Sequence, residues 1–375
     1  MNRFAALMRG QERTLLTCGG ALLLFGFLYA LTASPTAAAR MGYDSTFLFA
    51  LRQGGFAIVA ALVGIGVCWL PPVTVRRTGV LLLVGALALL TVVLLVGHEA
   101  KGAQRWLRIA GLSLQPSEFV KPALVIAMAW MLASGVVQRG FPGAAVAVSL
   151  YVVTAALLVA QPDYGQTTLL LIVLAAMLYL SGASWKLFAG GGAVAVIGGL
   201  LAYRFVPHVH ARIADFLDPD TRSFQLSRAL DAIASGGPFG RGPGEGVVKV
   251  SLPDAHADFV YAAAAEEFGW LASMGFIALY VLIAWYGLRR AARLVDPFAQ
   301  LAASGLIILF CTQAAIHIAV NVSISPAKGM TLPLVSYGGS ALIGSALTLG
   351  LALALLRDQP GAFLYGKARA QKEAA

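Results

Sequence analysis

Long apolar runs separated by short polar segments dominate the sequence. Ten runs have roughly the length of about 20 residues that a membrane-spanning helix needs. They lie near 15–33, 47–71, 79–97, 118–137, 143–160, 167–182, 185–205, 259–288, 300–322 and 339–357. Because barrel strands need only about 9–11 residues, these runs predict helices. The first run is expected to be a retained helix rather than a cleaved signal peptide, since no soluble domain follows it.

The overall composition agrees with this pattern. The 375 residues are 59% hydrophobic and 12% charged, and the mean hydropathy is +0.80. Soluble domains carry about 25% charged residues, so a soluble enzyme, a disordered chain and a secreted disulfide scaffold are excluded. The predicted fold is all-α: one polytopic transmembrane domain over residues 1–375.

The net charge of +10 is best explained by membrane topology. Nucleic-acid binding would need a basic soluble domain, which the pattern lacks. Basic residues collect in short cytoplasmic loops, and one set of loops carries most of them. That set is Arg76, Arg77, Arg139, Lys186, Arg289, Arg290, Arg293 and the tail residues Arg357, Lys367, Arg369 and Lys372. Both termini are therefore predicted to be cytoplasmic, with 358–375 as a cytoplasmic tail.

Three segments on the predicted outer face are unusual for simple connections: 98–117, 206–258 and 323–338. Loops longer than about 12–15 residues are often functional. The longest, 206–258, joins the seventh and eighth spans. Within it, 221–235 has Leu226, Leu230 and Ile233 at helical spacing, which predicts an amphipathic helix along the membrane surface.

Two polar clusters, one within 101–121 and one at 161–165, lie near the start of outer segments or spans. Arg105 and Trp106 belong to a basic, aromatic stretch that suits either an interfacial anchor or a phosphate-binding site. Glu118 and Lys121 have the spacing of an ion pair on one helix face. Asp163 follows a proline and is either a turn former or a functional carboxylate.

The stretch 252–270 carries most of the acidic side chains near the membrane. Asp254, His256 and Asp258 alternate just before the eighth span, and Glu266 and Glu267 follow inside that span. The alternating triplet suits a divalent metal or a general base. Partial burial makes a carboxylate a better proton acceptor, which favours the general base.

The segment 325–340 interrupts an apolar region with prolines and glycines. Irregular backbone at membrane depth occurs only where protein or a cavity surrounds it. Lys328 adds a cation there, and Ser336 adds a hydroxyl. Either this is a kinked helix start, or it lines a site for a phosphate-bearing head with a lipid tail.

Five ordered stretches between about 102 and 345 resemble the SEDS family (shape, elongation, division, sporulation) of peptidoglycan glycosyltransferases. They are GAQRWLRIAGLSLQPSEFVK, QPDYGQTTLL, SRALDAIASGGPFGRGPGEG, LPDAHADFVYAAAAEEFGW and AKGMTLPLVSYGGS. The last, with its lysine, is similar to the FtsW branch for division rather than the RodA branch for elongation. Asp254, Ala257, Ser325 and Ala327 depart from the usual family residues.

The resemblance implies polymerisation of lipid II at the outer face of the bacterial cytoplasmic membrane, at the division septum. It implies Asp258 as general base and Trp106 as a residue important for activity. The residues expected to contact substrate are Trp106, Arg105, Lys328, Ser336, His256, Arg212 and Arg222. The supporting residues are expected to be Glu118, Lys121, Asp163, Glu266 and Glu267.

The resemblance also implies partners. These are lipid II, a class B penicillin-binding protein with transpeptidase activity, and other membrane proteins of the division machinery. No cofactor and no metal site is predicted, and a divalent cation (Mg or Mn) is the alternative left open.

Three other functions stay open at this point. One is a RodA-type polymerase, and a second is a lipid II flippase, for which Arg52, Glu266 and Glu267 would line a polar route. The third is a small-solute transporter, although such proteins usually contain inverted repeats and the sequence shows none.

Overall fold

The structure is a computed structural model, and ten apolar helices make up most of its described residues. It describes residues 11–42, 44–100, 103–109, 112–138, 140–206, 209–211, 213–214, 224–326 and 329–357. Several positions singled out in the sequence lie outside the described residues: Arg139, Arg212, Arg222, Ala327, Lys328 and the tail 358–375.

The helices follow the predicted order of spans. They are α1 Gln11–Met41, α2 Leu48–Val67, α3 Pro72–Val96, α4 Ser117–Val137, α5 Gly143–Ala160, α6 Tyr164–Leu180, α7 Trp185–Phe205, α8 Phe224–Gly236, α9 Val248–Ser251, α10 Val260–Ala291, α11 Pro297–Asn321 and α12 Gly339–Leu356. Among the described residues, nine helices are long and apolar enough to cross a membrane, and α6 is a shorter apolar helix. The polytopic helical fold is confirmed.

The helix ends differ most from the prediction at α1 and α3. The apolar run of α1 was placed at 15–33, whereas the helix covers Gln11–Met41. The apolar run of α3 is predicted at 79–97, whereas the helix covers Pro72–Val96. Hydropathy marks only the part that lies in hydrocarbon, and the backbone continues its hydrogen bonding into the polar interface.

The centre of the bundle is formed by α4, α11 and α12. Helix α12 has no polar face, and fifteen of its residues between Ser340 and Leu356 are buried. A helix that is apolar all round is expected to be enclosed by others. The residues that position the site therefore stand on enclosed helices.

A small antiparallel sheet lies between α3 and α4, which an all-α prediction does not include. Its strands are β1 His98–Ala100, β2 Ala103–Ile109 and β3 Leu112–Leu114, in the order β1-β2-β3. Trp106 pairs with His98, and Leu107 pairs with Leu114. Arg105 is followed by two adjacent apolar residues, Trp106 and Leu107, so the sequence shows no period-two alternation that would have indicated this strand.

The amphipathic helix of the long outer segment is present as α8, but it uses a different face. Leu226, Ala229, Ala232 and Gly236 are buried, whereas Leu230 and Ile233 are only partly buried. The helix packs on α10, where a Cβ at Gly236 would collide with the carbonyl of Ala265. Small residues define the buried face because the two backbones approach closely.

Polar contacts close the opposite end of the bundle. Arg290 Nε lies 3.7 Å from Glu12 Oε1 and donates to the Leu356 carbonyl at 3.3 Å. Arg357 donates to the Trp69 carbonyl at 3.4 Å. The predicted orientation makes this the cytoplasmic end, so the outer segments meet at the other end.

Candidate functional site

Asp258 stands at the end of a tight turn, immediately before α10. Asp254 has a left-handed backbone (φ +53°). Its carbonyl accepts hydrogen bonds from the N–H groups of Ala257, Asp258 and Phe259 at 2.9, 3.0 and 3.3 Å. The turn 254–259 leaves Asp258 half-buried at the rim of the bundle.

The interrupted segment 329–338 is enclosed by protein, as its sequence predicts. Met330, Leu332, Leu334 and Val335 are buried. Side chains from neighbouring helices complete its backbone hydrogen bonding: Tyr280 donates to the Pro333 carbonyl at 2.7 Å. A non-helical backbone is thus satisfied inside the bundle, as membrane depth requires.

Direct hydrogen bonds join the turn 254–259 to the segment 329–338. The Ser336 hydroxyl donates to the Ala257 carbonyl at 2.7 Å, and the Tyr337 N–H donates to the His256 carbonyl at 2.9 Å. A Cβ at Gly329, which has φ +60°, would lie 3.6 Å from Asp258 Oδ2. The turn that carries Asp258 therefore lies against a segment more than seventy residues away in the sequence.

Ser336 and His256 have placements that the sequence did not specify. Ser336 is 1% exposed, and its hydroxyl also accepts the Leu332 N–H at 2.8 Å. That hydroxyl supports the Asp258 turn, which differs from the predicted substrate contact. The His256 ring is half-buried beside Phe49 and Tyr337, with centroid distances of 6.1 and 5.5 Å.

A row of polar side chains on α11 was missed by the sequence analysis. Gln313 Nε2 donates to the Thr331 carbonyl at 3.0 Å. His317 Nδ1 lies 2.6 Å from the Met330 carbonyl, and Asn321 Nδ2 lies 3.2 Å from the Asp258 carbonyl. Their spacing of four residues inside an apolar run was a usable signal, because it places them on one helix face.

The predicted ion pair on α4 is confirmed: Lys121 Nζ lies 2.8 Å from Glu118 Oε2. Both residues are buried. Gln166 donates to Glu118 at 3.1 Å, and Lys121 donates to Gln313 at 2.7 Å. The pair is thereby connected through Gln313 to the segment 329–338.

Arg105 and Trp106 do not act as one cluster, because successive residues of a strand point to opposite faces. Arg105 faces the bundle, where it donates to the Gln161 carbonyl at 3.2 Å and to the Pro162 carbonyl. Its Nη1 lies 3.9 Å from Asp163 Oδ1. Trp106 is half-buried on the other face, together with the exposed Arg108.

Asp163 belongs to the turn before α6, and it is buried. Its carboxylate accepts the Gln166 N–H at 3.4 Å, so it caps the start of α6. Burial raises the pKa of the Asp163 carboxyl, and the Arg105 guanidinium opposes that rise. Asp163 therefore has a structural role as the N-terminal cap of α6.

Glu266 and Glu267 are buried inside α10, where their carboxylates bind the glycine-rich turn. Glu266 accepts the N–H groups of Val247, Val248 and Lys249, each at 2.7 Å. Glu267 forms an ion pair with Lys249 and accepts the Gly244 N–H at 3.2 Å. These contacts hold the glycine-rich turn and the residues that follow it against α10.

The site as described offers one type of chemistry. A half-buried carboxylate, held by a rigid turn, faces an irregular segment at the outer end of an apolar bundle. This geometry suits acceptance of a proton from a substrate held at the membrane surface. In the described part of the chain, no group of three or more His, Cys, Asp or Glu side chains is arranged to hold a metal ion.

Known proteins share both the sequence and this architecture. A protein of Caulobacter vibrioides, described as probable peptidoglycan glycosyltransferase FtsW, is 46% identical over 355 residues, covering 94% of this chain and 90% of the relative. A protein of Halomonas elongata with the same description is 36% identical over 369 residues, covering 93% of each chain.

Solved structures give the same picture. A chain from work on the structural coordination of polymerization and crosslinking by a peptidoglycan synthase complex superposes with a TM-score of 0.77. It is 27% identical and covers 92% of this chain and 97% of its own. The rod shape determining protein RodA of Thermus thermophilus superposes with a TM-score of 0.67, at 26% identity, covering 92% of this chain and 97% of its own.

A family profile decides the assignment. The profile of the FtsW, RodA and SpoVE proteins, described as cell cycle protein, matches residues 12–360. The match includes the turn 254–259, the segment 329–338 and all ten apolar helices except the first residue of α1. The chain therefore belongs to the FtsW/RodA/SpoVE family of multi-pass membrane proteins.

Proposed function

We propose that this chain is a peptidoglycan glycosyltransferase that polymerises lipid II at the outer face of the cytoplasmic membrane, with Asp258 as general base. The observation that carries the proposal is the position of Asp258. Its half-buried carboxylate faces Gly329 at the membrane rim, where a lipid-linked sugar would present its head group.

In the proposed reaction, Asp258 takes the proton of the acceptor sugar hydroxyl as that oxygen attacks C1 of the donor sugar. The bond from C1 to the pyrophosphate oxygen breaks, undecaprenyl pyrophosphate leaves, and the anomeric configuration inverts. Glycoside hydrolases need a second carboxyl to protonate a poor leaving group. Pyrophosphate leaves without that help, so one carboxylate is sufficient.

Cations near the site would bind the pyrophosphate. Lys328, Arg212 and Arg222 are proposed for this role on charge and position in the sequence. Arg105 was predicted to share it, but its guanidinium contacts the 161–163 turn. Arg108 is exposed on the Trp106 face of β2 and is the better candidate from that strand.

The biological role that we propose is septal cell-wall synthesis during division. The Caulobacter and Halomonas relatives, described as FtsW, are 46% and 36% identical, compared with 26% for the Thermus RodA. A class B penicillin-binding protein is the proposed partner, in agreement with the synthase complex that shares the fold. Other division proteins are proposed on the resemblance alone.

The decisive experiment is polymerisation of purified lipid II by the full chain together with its transpeptidase partner. We expect glycan strands from the native protein and none from Asp258→Ala at equal protein amounts. Normal polymerisation by Asp258→Ala would reject the general base. If the native complex makes no polymer but proteoliposomes translocate lipid II, the flippase function replaces the polymerase.

The residues named for a flippase route give it no support. Glu266 and Glu267 are buried and bind Val247, Val248, Gly244 and Lys249. Arg52 is exposed on the surface of α2. A translocation path would need these polar groups to line an open route, which is the reverse of their placement.

A further inference from the structure

The start of α10, next to Asp258, lacks a cap from its own sequence. The residue before the helix is Phe259, whose side chain cannot accept a hydrogen bond from the first turn. The first N–H groups of a helix need such partners, above all where water is absent. Another element must therefore supply one.

Asn321, the last residue of α11, supplies this partner across the bundle. Its Oδ1 accepts the Ala262 N–H at 3.0 Å, and its Nδ2 donates to the Asp258 carbonyl at 3.2 Å and to the His317 carbonyl at 2.8 Å. The side chain is 0% exposed. One carboxamide thus binds a donor and an acceptor on either side of the Asp258–Phe259 corner.

The same face of α11 also holds the segment opposite Asp258. One and two helical turns before Asn321, His317 and Gln313 bind the carbonyls of Met330 and Thr331. Met330 directly follows Gly329, where an added Cβ would lie 3.6 Å from Asp258 Oδ2. A single rigid helix therefore fixes both sides of the site at a set separation.

We propose that Asn321 is a positioning residue for the general base, and that the Gln313–His317–Asn321 row fixes the separation between Asp258 and the segment 329–338. Asn321 touches no substrate in this proposal and acts through the backbone of Asp258. The inference rests on the proposed function, because it assigns Asn321 a part in the same reaction. Catalysis is sensitive to errors of about 1 Å in such placement.

The test compares Asn321→Ala with a matched control, Ser345→Ala. Ser345 is also buried, and its hydroxyl donates to the Ala341 carbonyl within the same helix, α12. With lipid II and the partner transpeptidase, we expect Asn321→Ala to lower kcat by about 10–100-fold while KM changes less than about threefold. Ser345→Ala should leave both within about twofold.

A conservative variant separates positioning from general damage. Asn321→Asp keeps an acceptor for Ala262 but loses the donor to Asp258 while the new carboxylate is ionised. Its rate relative to the native protein should rise as the pH falls, since a protonated carboxyl regains an O–H donor. A constant ratio across pH would overturn the assignment.

Hydrogen–deuterium exchange tests the placement without reference to activity. Peptides covering 254–264 in the full chain should exchange about tenfold faster in Asn321→Ala and unchanged in Ser345→Ala. Unchanged exchange, or a kcat that falls equally in both variants, overturns the inference. If the native complex makes no polymer, the proposed function fails, and exchange alone decides whether Asn321 orders the turn.

Discussion

Two acidic parts of one region, Asp258 and the pair Glu266–Glu267, have opposite environments although they are close in sequence. Glu266 is 0% exposed and accepts three backbone N–H groups. Asp258 is half-buried, and its backbone carbonyl accepts a hydrogen bond from Asn321 Nδ2 at 3.2 Å. A carboxylate surrounded by fixed backbone donors holds a turn in place, whereas a half-buried carboxylate at the rim of the bundle suits the proposed proton transfer.

The difference arises from the elements that each carboxylate faces. The glycine-rich turn 237–246 folds back on α10, and backbone N–H groups just beyond it reach Glu266. Gly240 and Gly244 adopt φ of +82° and +85°, which other residues rarely do. The turn 254–259 instead packs on the irregular segment 329–338, to which it is joined through Ser336 and Tyr337.

The largest effect is expected from substitution of Asp258, compared with the same substitution at the nearby Asp254. Asp258→Asn should reduce lipid II polymerisation by about 10³-fold or more, since an amide does not accept the proton. Asp254→Asn should stay within about tenfold, because its carbonyl makes the turn and asparagine tolerates positive φ. Equal losses in the two variants, measured with purified lipid II, would contradict the comparison.

The next effect concerns the buried pair. Lys249→Met leaves the Glu267 carboxylate without its cation and should lower the free energy of unfolding by about 3–5 kcal/mol. The double variant Lys249→Met/Glu267→Gln removes both charges and should recover most of the loss. Unfolding in detergent measures both, and a change below about 1 kcal/mol for Lys249→Met would refute the buried pair.

A smaller effect is expected where the turn 254–259 contacts the segment 329–338. Ser336→Ala removes the hydroxyl that binds Ala257 and Leu332, leaving two buried backbone groups without that partner. We expect a loss of about 1–3 kcal/mol in unfolding free energy. Thr348→Ala is the matched control in α12, because its hydroxyl bonds only to the Gly344 carbonyl. Similar losses in the two variants would argue against a special role for Ser336.

The smallest effect is a pH dependence at the outer turn. The raised pKa of Asp163 means that its folded form binds a proton more readily than the unfolded chain. Its contribution is therefore most favourable below the unfolded value and is lost as the pH rises through the folded value. Arg105→Gln should extend this loss to higher pH and cost about 1 kcal/mol or less at neutral pH.

Unfolding of the native chain and Arg105→Gln at several pH values measures this effect. As the pH rises, the unfolding free energy of the native chain should stop falling at a lower pH than that of the variant. Identical pH curves would show that Arg105 does not act on the Asp163 carboxyl.

Some of the site was readable from the sequence, and some was not. The Glu118–Lys121 ion pair followed from its helical spacing. Asp258 belongs to an alternating polar triplet, and the family resemblance made it the predicted general base. Arg105 was assigned to the substrate, because the sequence shows its charge but not the face of the strand that it occupies. Asn321 was missed because the four-residue spacing of Gln313, His317 and Asn321 indicates a shared helix face but not what that face contacts.

The sequence by itself determined the ten apolar helices and the irregular segment before α12, because hydrocarbon permits no other backbone and each helix satisfies its own hydrogen bonds. Only the tertiary structure decided which polar groups face each other. Asp258 and Gly329 face each other because α11 binds the Asp258 carbonyl through Asn321 and the carbonyl of Met330, next to Gly329, through His317. Glu266 is enclosed because the turn 237–246 folds back on α10. Such contacts join residues distant in the chain, and their partners depend on packing rather than on local preference.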